Sequence, residues 1–342
     1  MNKTDNSRRL FLRNSLLLSA AAAVPAVWTT TEGKTISELP NGGERSIYGN
    51  SVSSHTLSSN QGSSSVEVLP GNYGYNQELC KHYTCYRAAG HLSIDGDVEK
   101  EAWKAVPKSP RFVDLVTGKS ALLDTRAAVQ WDDENLYVAY WIQEPNVAAT
   151  LTKRDSLIWH DNDVELFIAG EDCYYEFEIN AFGTVYEVLW VWQDAYKHGS
   201  RFEISELDLL TQKVEVLGGD FDGRKHPRGG RWGFREWDLK GLKTAVKVNG
   251  TANKSEDVDE GWTVEIAIPW SGMKLLAGDR SLPPKPGDVW RMDFSRFELL
   301  KDQDSKINPG WAWNTHGVYD SHIPELFTYI HFSDKTVGEI HS

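Results

Sequence analysis

Residues 158–168 read IWHDNDVELFI, and the polar part, Trp159-His160-Asp161-Asn162-Asp163, supports three chemistries. His160 with the neighbouring aspartates could ligate a metal, carboxyl groups could serve as acid and base, or an indole beside carboxylates could grip a sugar. Strand alternation from Asp163 to Ile168 puts Val164, Leu166 and Ile168 on one face and Asp163, Glu165 and Phe167 on the other. The next run repeats the split, with Tyr175, Phe177 and Ile179 set against Glu176, Glu178 and Asn180. Paired about a turn at Gly170-Glu171-Asp172, the two strands place Glu165 opposite or diagonal to Glu176 or Glu178. Like charges so placed repel by about 0.2–1 kcal/mol per pair. The face must therefore be wet, or be neutralised by arginine, a metal or ligand hydroxyls.

Sugar recognition needs an aromatic face for C–H patches and carboxylates or amides for hydroxyls. Trp159 with Asp161, Asn162, Glu165, Glu178 and Asn180 has that composition. Glycoside hydrolysis needs two carboxyl groups about 5 to 9.5 Å apart, and paired strand positions reach the lower end of that range. A glycosidase or lyase would use Glu165 with Glu178 or Glu265. No G-x-S-x-G or H-E-x-x-H motif accompanies them. The hard oxygen donors point to calcium as the metal, with Asp95, Asp97, Asp161 and Asp163 as candidates, although no EF-hand spacing is present. A second aromatic group, GWAWNTHGVYDSHIPELF, carries Trp311, Trp313, Tyr319 and His322, and its indoles serve either a ligand or the core.

The elements that must position these residues are strands. RAAVQWDDENLYVAYWI forms a hairpin about Asp132–Asn135, and DVELFIAGEDCYYEFEIN forms another. KTAVKVNGT, GWTVEIAIPW, DVWRMDFSRFE and ELFTYIHF supply further strands, while helical periodicity is confined to VEKEAWKAV and short turns such as SGMKLLAG and ISELDLL. Many short strands and little helix predict an all-β antiparallel sandwich of jelly-roll or immunoglobulin-like type, over about residues 86–334. The charged, glycine-rich stretch LGGDFDGRKHPRGGRWGFREWD reads as a long loop.

The 342 residues are 40% hydrophobic, ample for a core, and include 14 Trp and 13 Tyr, more rings than the core needs. With 49 acidic against 36 basic residues, the net charge of -13 is the wrong sign for binding nucleic acid or anionic lipid. Residues 1–26 form a signal peptide, and Ser7-Arg8-Arg9-Leu10-Phe11-Leu12 within it fits a twin-arginine export signal. The mature protein is then expected in the periplasm or outside the cell, with no membrane anchor after cleavage. Residues 27–80, rich in Ser, Gly and Asn, read as a disordered tether. Cys80 and Cys85 could close a small disulfide loop in an oxidising compartment, leaving Cys173 over.

Taken in order, HLSIDGDVEKEAW, WDDENLYVAYWI, WHDNDVELFI, YYEFEINAFGTVYEVLW, GWTVEIAIPW, DVWRMDFSRFE and WAWNTHGVYDSHIPELFTYIHFS resemble the family 9 carbohydrate-binding modules, in their stand-alone exported bacterial branch. The resemblance implies a β-sandwich related to extracellular sugar- and haem-binding domains. It also implies a polysaccharide or oligosaccharide partner, a sugar slot between two aromatic rings, and a structural Ca2+ in some members. The family's first stacking Trp stands five residues before its V-E-[IL]-F-I strand, as Trp159 stands before Val164. The second ring does not match: the corresponding position is Ser321, so Tyr319, His322 or Trp313 must substitute. Glu178 replaces a sugar-contacting Arg, which points to a different sugar. The resulting expectation is a non-catalytic, exported carbohydrate-binding protein. The alternatives are the glycosidase or lyase and a haem-binding redox subunit, the last favoured by the related fold and an export route used by cofactor-loaded proteins.

Overall fold

The structure, a computed structural model, describes residues 77–218, 226, 228–300 and 308–339. The expected signal peptide and most of the tether lie outside the described residues. All described residues fall in one of the two compact units into which the chain divides, and the other, Leu18–Leu69, lies outside them. Among the described residues, no helix is long and apolar enough to cross a membrane.

Fourteen strands among the described residues form one hydrogen-bonded network: β1 (His82–Arg87), β2 (Val113–Asp114), β3 (Thr125–Trp131), β4 (Asn135–Gln143), β5 (Asp163–Ala169), β6 (Cys173–Asn180), β7 (Val185–Trp192), β8 (Val214–Gly218), β9 (Gly230–Phe234), β10 (Lys243–Asn249), β11 (Gly261–Pro269), β12 (Val289–Phe297), β13 (Gly310–Ala312) and β14 (Thr328–Thr336). The order is β10-β11-β4-β3-β1-β14-β12-β5-β6-β7-β9-β8, with β13 pairing β12 and β2. Among the described residues, helix is limited to α1 (Glu101–Lys104), α2 (Lys274–Ala277) and short 3-10 turns. The predicted hairpins are β3–β4 and β5–β6. The pairings are antiparallel except those of β1, which lies parallel to both β14 and β3.

The network folds over on itself. Val138 and Tyr140 of β4 and Val264 and Ile266 of β11 share one hydrophobic cluster with Val164, Leu166, Phe177 and Leu189 of β5–β7. Tyr140 spans the two layers, its hydroxyl donating to the Glu165 carbonyl at 2.7 Å. This is the expected sandwich, with period-two apolar stripes of both layers facing inward. The two outer faces are also covered. Trp103, Val98 and Val106, on and around α1, pack on Ala128, Tyr137, Ala139 and Ala267 of β3, β4 and β11. Trp159 and Ile158 pack with Phe167, Tyr174, Tyr186 and Trp190 of β5–β7.

Three expectations are corrected. The presumed loop LGGDFDGRKHPRGGRWGFREWD takes in the end of β8 and all of β9, which extend the sheet beyond β7. Gly233 admits the Trp190 ring here, since a Cβ would lie 2.5 Å from it. Ordered structure begins before Tyr86, with a 3-10 turn at Gln77–Leu79 and β1 from His82. Cys80 and Cys85 are not bonded: both are free and buried. Cys85 points into the core from β1, whereas Cys80 precedes the strand and packs on Ile323 and Leu326. Extended chain at about 3.3 Å per residue carries their Cα atoms beyond the ~7 Å that a disulfide spans.

A buried polar knot fixes the chain entering β5. Asn162 donates to Glu144 at 2.5 Å and Glu298 at 3.0 Å. Trp262 donates to Glu144 at 2.6 Å, and Arg296 bonds Glu298 at 2.6 Å. Burial and then the Glu298 charge push Glu144 up to about 7 from its ordinary 4.5. The folded protein thus keeps a proton that the unfolded chain releases above about pH 4.5. This contribution is complete below that pH and is lost as pH rises towards about 7. Glu144→Gln, which keeps the neutral form, is expected to flatten the fall in thermal midpoint across that window. An unchanged slope would assign the titration to another group.

Candidate functional site

On β5, β6, β7 and β12 the side chains turned away from the core make one continuous face. Register sets its rows: Ser295, Glu165, Glu178 and Tyr186 lie side by side, then Asp293, Phe167, Glu176 and Val188. The anticipated opposition of Glu165 is thus to Glu178. Asp163, at the head of β5, faces Phe297 and Asn180. Far from being wet, this face is sealed, with Asp163, Glu165, Glu178 and Asp293 fully buried.

Asp163, Glu165 and Glu178 each offer an oxygen within 4.8 Å of the others. Ser295 donates to Glu165 at 3.1 Å, and the Phe297 amide to Asp163 at 3.3 Å. Three carboxylates so close repel strongly in a poorly hydrated setting. Hard oxygen donors in this array fit a calcium-like cation. Asp95 and Asp97 do not join them. They sit on the opposite outer face, where Asp95 binds Lys100 at 3.0 Å and Asp97 accepts from the Glu99 amide. Lys100 holds the Asp95 carboxyl down at about 2.

Trp159 sits in the 3-10 turn Ile158–His160, its ring edge-on to Tyr186 at 5.0 Å. It lies over the acidic face, as a stacking ring should, but is only 5% exposed. Three predicted sugar ligands have local structural duties instead. Asp161 accepts from the amides of Thr150 and Leu151, both at 2.8 Å, and from the Thr150 hydroxyl. Asn162 belongs to the Glu144 knot. Asn180 donates to Asp161 at 3.0 Å and accepts from the Phe182 and Thr184 amides, bracing the β6–β7 turn.

The candidates for a second ring separate. Trp313 points into the main core against Tyr83 and Phe294. Tyr319 packs on Phe297 and donates to the Asn308 carbonyl. His322 does reach the acidic face, 5.2 Å from both Phe167 and Trp190, with its Nε2 3.6 Å from Glu176. Glu265 is removed from any catalytic pairing with Glu165. It lies on the opposite outer face and accepts from Trp103 at 2.6 Å and from the Asp95 and Gly96 amides.

The sequence reading missed Tyr186, Trp190, Asp293 and Ser295. Alternation in VYEVLWVW would have placed Tyr186 and Trp190 on one side, but the neighbouring position of β12 had no local signal. Asp293 meets His316 at 3.4 Å with both side chains sealed. Burial opposes charge on His316, yet Asp293 and the Asp320 carbonyl outweigh it and raise the imidazole above its ordinary range.

Residues 120–217 match the sequence model of carbohydrate-binding family 9. The resemblance drawn from the sequence motifs is borne out over that segment, which contains Trp159, β3–β7 and all of β8 but its last residue. No curated protein matches the chain significantly. Among solved structures, a Bacteroides uniformis protein provisionally designated carbohydrate-binding aligns over 74% of this chain and 100% of its own, at 16% identity and TM-score 0.49. A family 9 module from Caldicellulosiruptor kristjanssonii in complex with cellotriose aligns over 75% of this chain and 97% of its own, at 14% identity and TM-score 0.42. The same organism's family 9 module with glucose gives 74% and 97% coverage, at 15% identity and TM-score 0.42.

If a cation occupies the carboxylate triad, stripping with chelator and restoring Ca2+ should raise the thermal midpoint. A hundredfold excess over Kd corresponds to about 2.7 kcal/mol. Asp163→Asn should abolish the response, and a midpoint indifferent to Ca2+ would dismiss the site.

Proposed function

We propose, from the family 9 match over residues 120–217, that this chain is an exported, non-catalytic carbohydrate-binding protein that recognises a saccharide at the Trp159 face. The observation that carries the reading is the placement of Trp159, Glu165, Glu178 and His322 about one sheet face, most of it inside the matched segment. An indole offers a C–H stacking surface, carboxylates accept from sugar hydroxyls, and His322 takes the place of the second ring. With Trp159 nearly covered, ligand entry requires its 3-10 turn or a neighbouring side chain to yield. The N-terminal Arg8-Arg9 signal supports work in the periplasm or outside the cell, in the use of polysaccharide. The charge of -13 argues against nucleic acid as a partner.

A glycosidase or lyase remains the rival class because Glu165 and Glu178 are adjacent. One oxygen of each lies within 4.8 Å of the other, but both carboxylates are fully buried, whereas a retaining pair flanks an accessible glycosidic bond at about 5–5.5 Å. The haem reading loses its methionines, since Met273 and Met292 are both spent in the main core.

A glycan panel including glucose and cello-oligosaccharides, read by tryptophan fluorescence and affinity electrophoresis, tests the proposal. Binding by some saccharide is expected, with a loss of tenfold or more in Trp159→Ala. Because truncating a buried Trp costs about 3–5 kcal/mol, Trp159→Phe with a melting curve serves as the folded comparison. Silence across the panel would defeat the reading. Release of product that Glu178→Gln abolishes while binding persists would replace it with an enzyme.

A further inference from the structure

Beside the β5–β6 turn lies an open cavity of about 510 Å³. Its volume is typical of small-ligand sites, which run from ~300 to 1,000 Å³. Ala169, Val289 and Pro324 give it an apolar side, and Arg228, Arg280 and Arg291 line it as well. In so acidic a chain arginines are expected beside carboxylates, and Arg228 conforms, bonding Asp172 at 2.8 Å and Asp194 at 2.9 Å.

Arg280 and Arg291 do not. Arg280 lies 3.7 Å over the Trp290 ring and donates through Nε and Nη2 only to the carbonyls of Ala277, Leu276 and Ala169. Arg291 lies over Tyr329 and donates through the same two nitrogens to the carbonyls of Glu325 and Phe327 and to Cys80 Sγ. Among the described residues, neither has a carboxylate partner. Register brings them together, since Arg291 sits opposite Ala169, whose carbonyl Arg280 binds. Each therefore presents a guanidinium held by ring and carbonyl contacts, and among the described residues Nη1 of each is left for another acceptor. The acidic groups of the lining do not supply it: Glu171 and Asp279 are exposed, where water screens them, and Glu325 meets His226 through Oε1 at 2.9 Å while its Oε2 is buried without a bond to either guanidinium.

We propose that this cavity is a second saccharide subsite that receives the carboxylate of a hexuronate on Nη1 of Arg280 and Arg291, with Val289 and Pro324 against the sugar's C–H surface. Paired, pre-positioned guanidinium N–H groups suit a planar carboxylate, and charge-assisted bonds of this kind are about twice as strong as neutral ones. That the ligand is a sugar rests on the reading above; that it is a carboxylate rests on the cavity.

Calorimetric titration of the full chain with glucuronate, galacturonate and oligouronides, against glucose and cello-oligosaccharides, tests this. An acidic sugar is expected to bind at least tenfold more tightly than its neutral counterpart, and less tightly as salt rises. Arg291→Gln and Arg280→Gln should each lower that affinity tenfold or more, while the response to neutral sugars at the Trp159 face stays. Because both residues also brace carbonyls, Arg280→Lys and Arg291→Lys provide folded variants that keep the charge and lose the fork. Their affinities should fall between wild type and the Gln variants. Equal binding of acidic and neutral sugars, or full affinity in all folded variants, would overturn the proposal. Neutral sugars binding with no uronate bound would overturn it alone. Arginine-dependent binding of acetate with no saccharide bound would overturn both it and the carbohydrate reading.

Discussion

The pairing of Glu165 with Glu178 across β5 and β6 sets the terms for the rest of the molecule. The same alternation that sends Val164, Leu166, Phe177 and Ile179 into the core drives these two carboxylates to the outer face. A one-residue slip would bring acid into the core, so the register is held by apolar burial and the repulsion between the carboxylates must be met locally. Their complete burial makes this demand stronger, because isolated charges removed from water cost several kcal/mol each.

Ser295 donates to Glu165 at 3.1 Å, and further hydrogen bonds and rings brace the elements around the pair. Asp161 and Asn180 bind each other and the loops beside them, and the Glu144–Asn162–Glu298–Arg296 knot anchors the approach to β5. Trp159, Tyr186, Trp190 and His322 cover the face. The opposite outer face is built differently: Glu265 is surrounded there by donors from Trp103, Lys100 and two backbone amides, a fully satisfied structural carboxylate. On the β5–β7 face, by contrast, Asp163, Glu165 and Glu178 each bring an oxygen within 4.8 Å of the others.

Much of this was legible residue by residue. The inward stripe of β5 and the outward placement of Glu165 and Glu178 follow from period-two alternation, and the turn at Gly170 follows from its residue types. Trp159 was identified through its spacing to Val164. The structural partners of Asp161 and Asn162 were not legible, because an acid or amide next to a Trp has the same composition whether it binds a ligand or braces a loop. Its partners, Thr150, Leu151 and Glu144, lie 10 to 18 residues away in the chain. The disulfide expectation failed for a related reason, since closeness in sequence says little about distance once the intervening chain is extended.

By itself the sequence determined the all-β class, the main hairpins, the face each strand residue occupies and the family 9 likeness, because these depend on local periodicity and on motifs read in order. Tertiary structure decided which strands became neighbours. It placed β12 beside β5, β14 beside β1, and the two parallel pairings no hairpin rule suggests. It also decided that the acidic face is sealed, that His322 and not Trp313 joins it, and that Arg280 meets Arg291 at one cavity. Each of these is a contact between residues distant in sequence, fixed by the burial of both layers and carrying no signal in any short stretch of the chain.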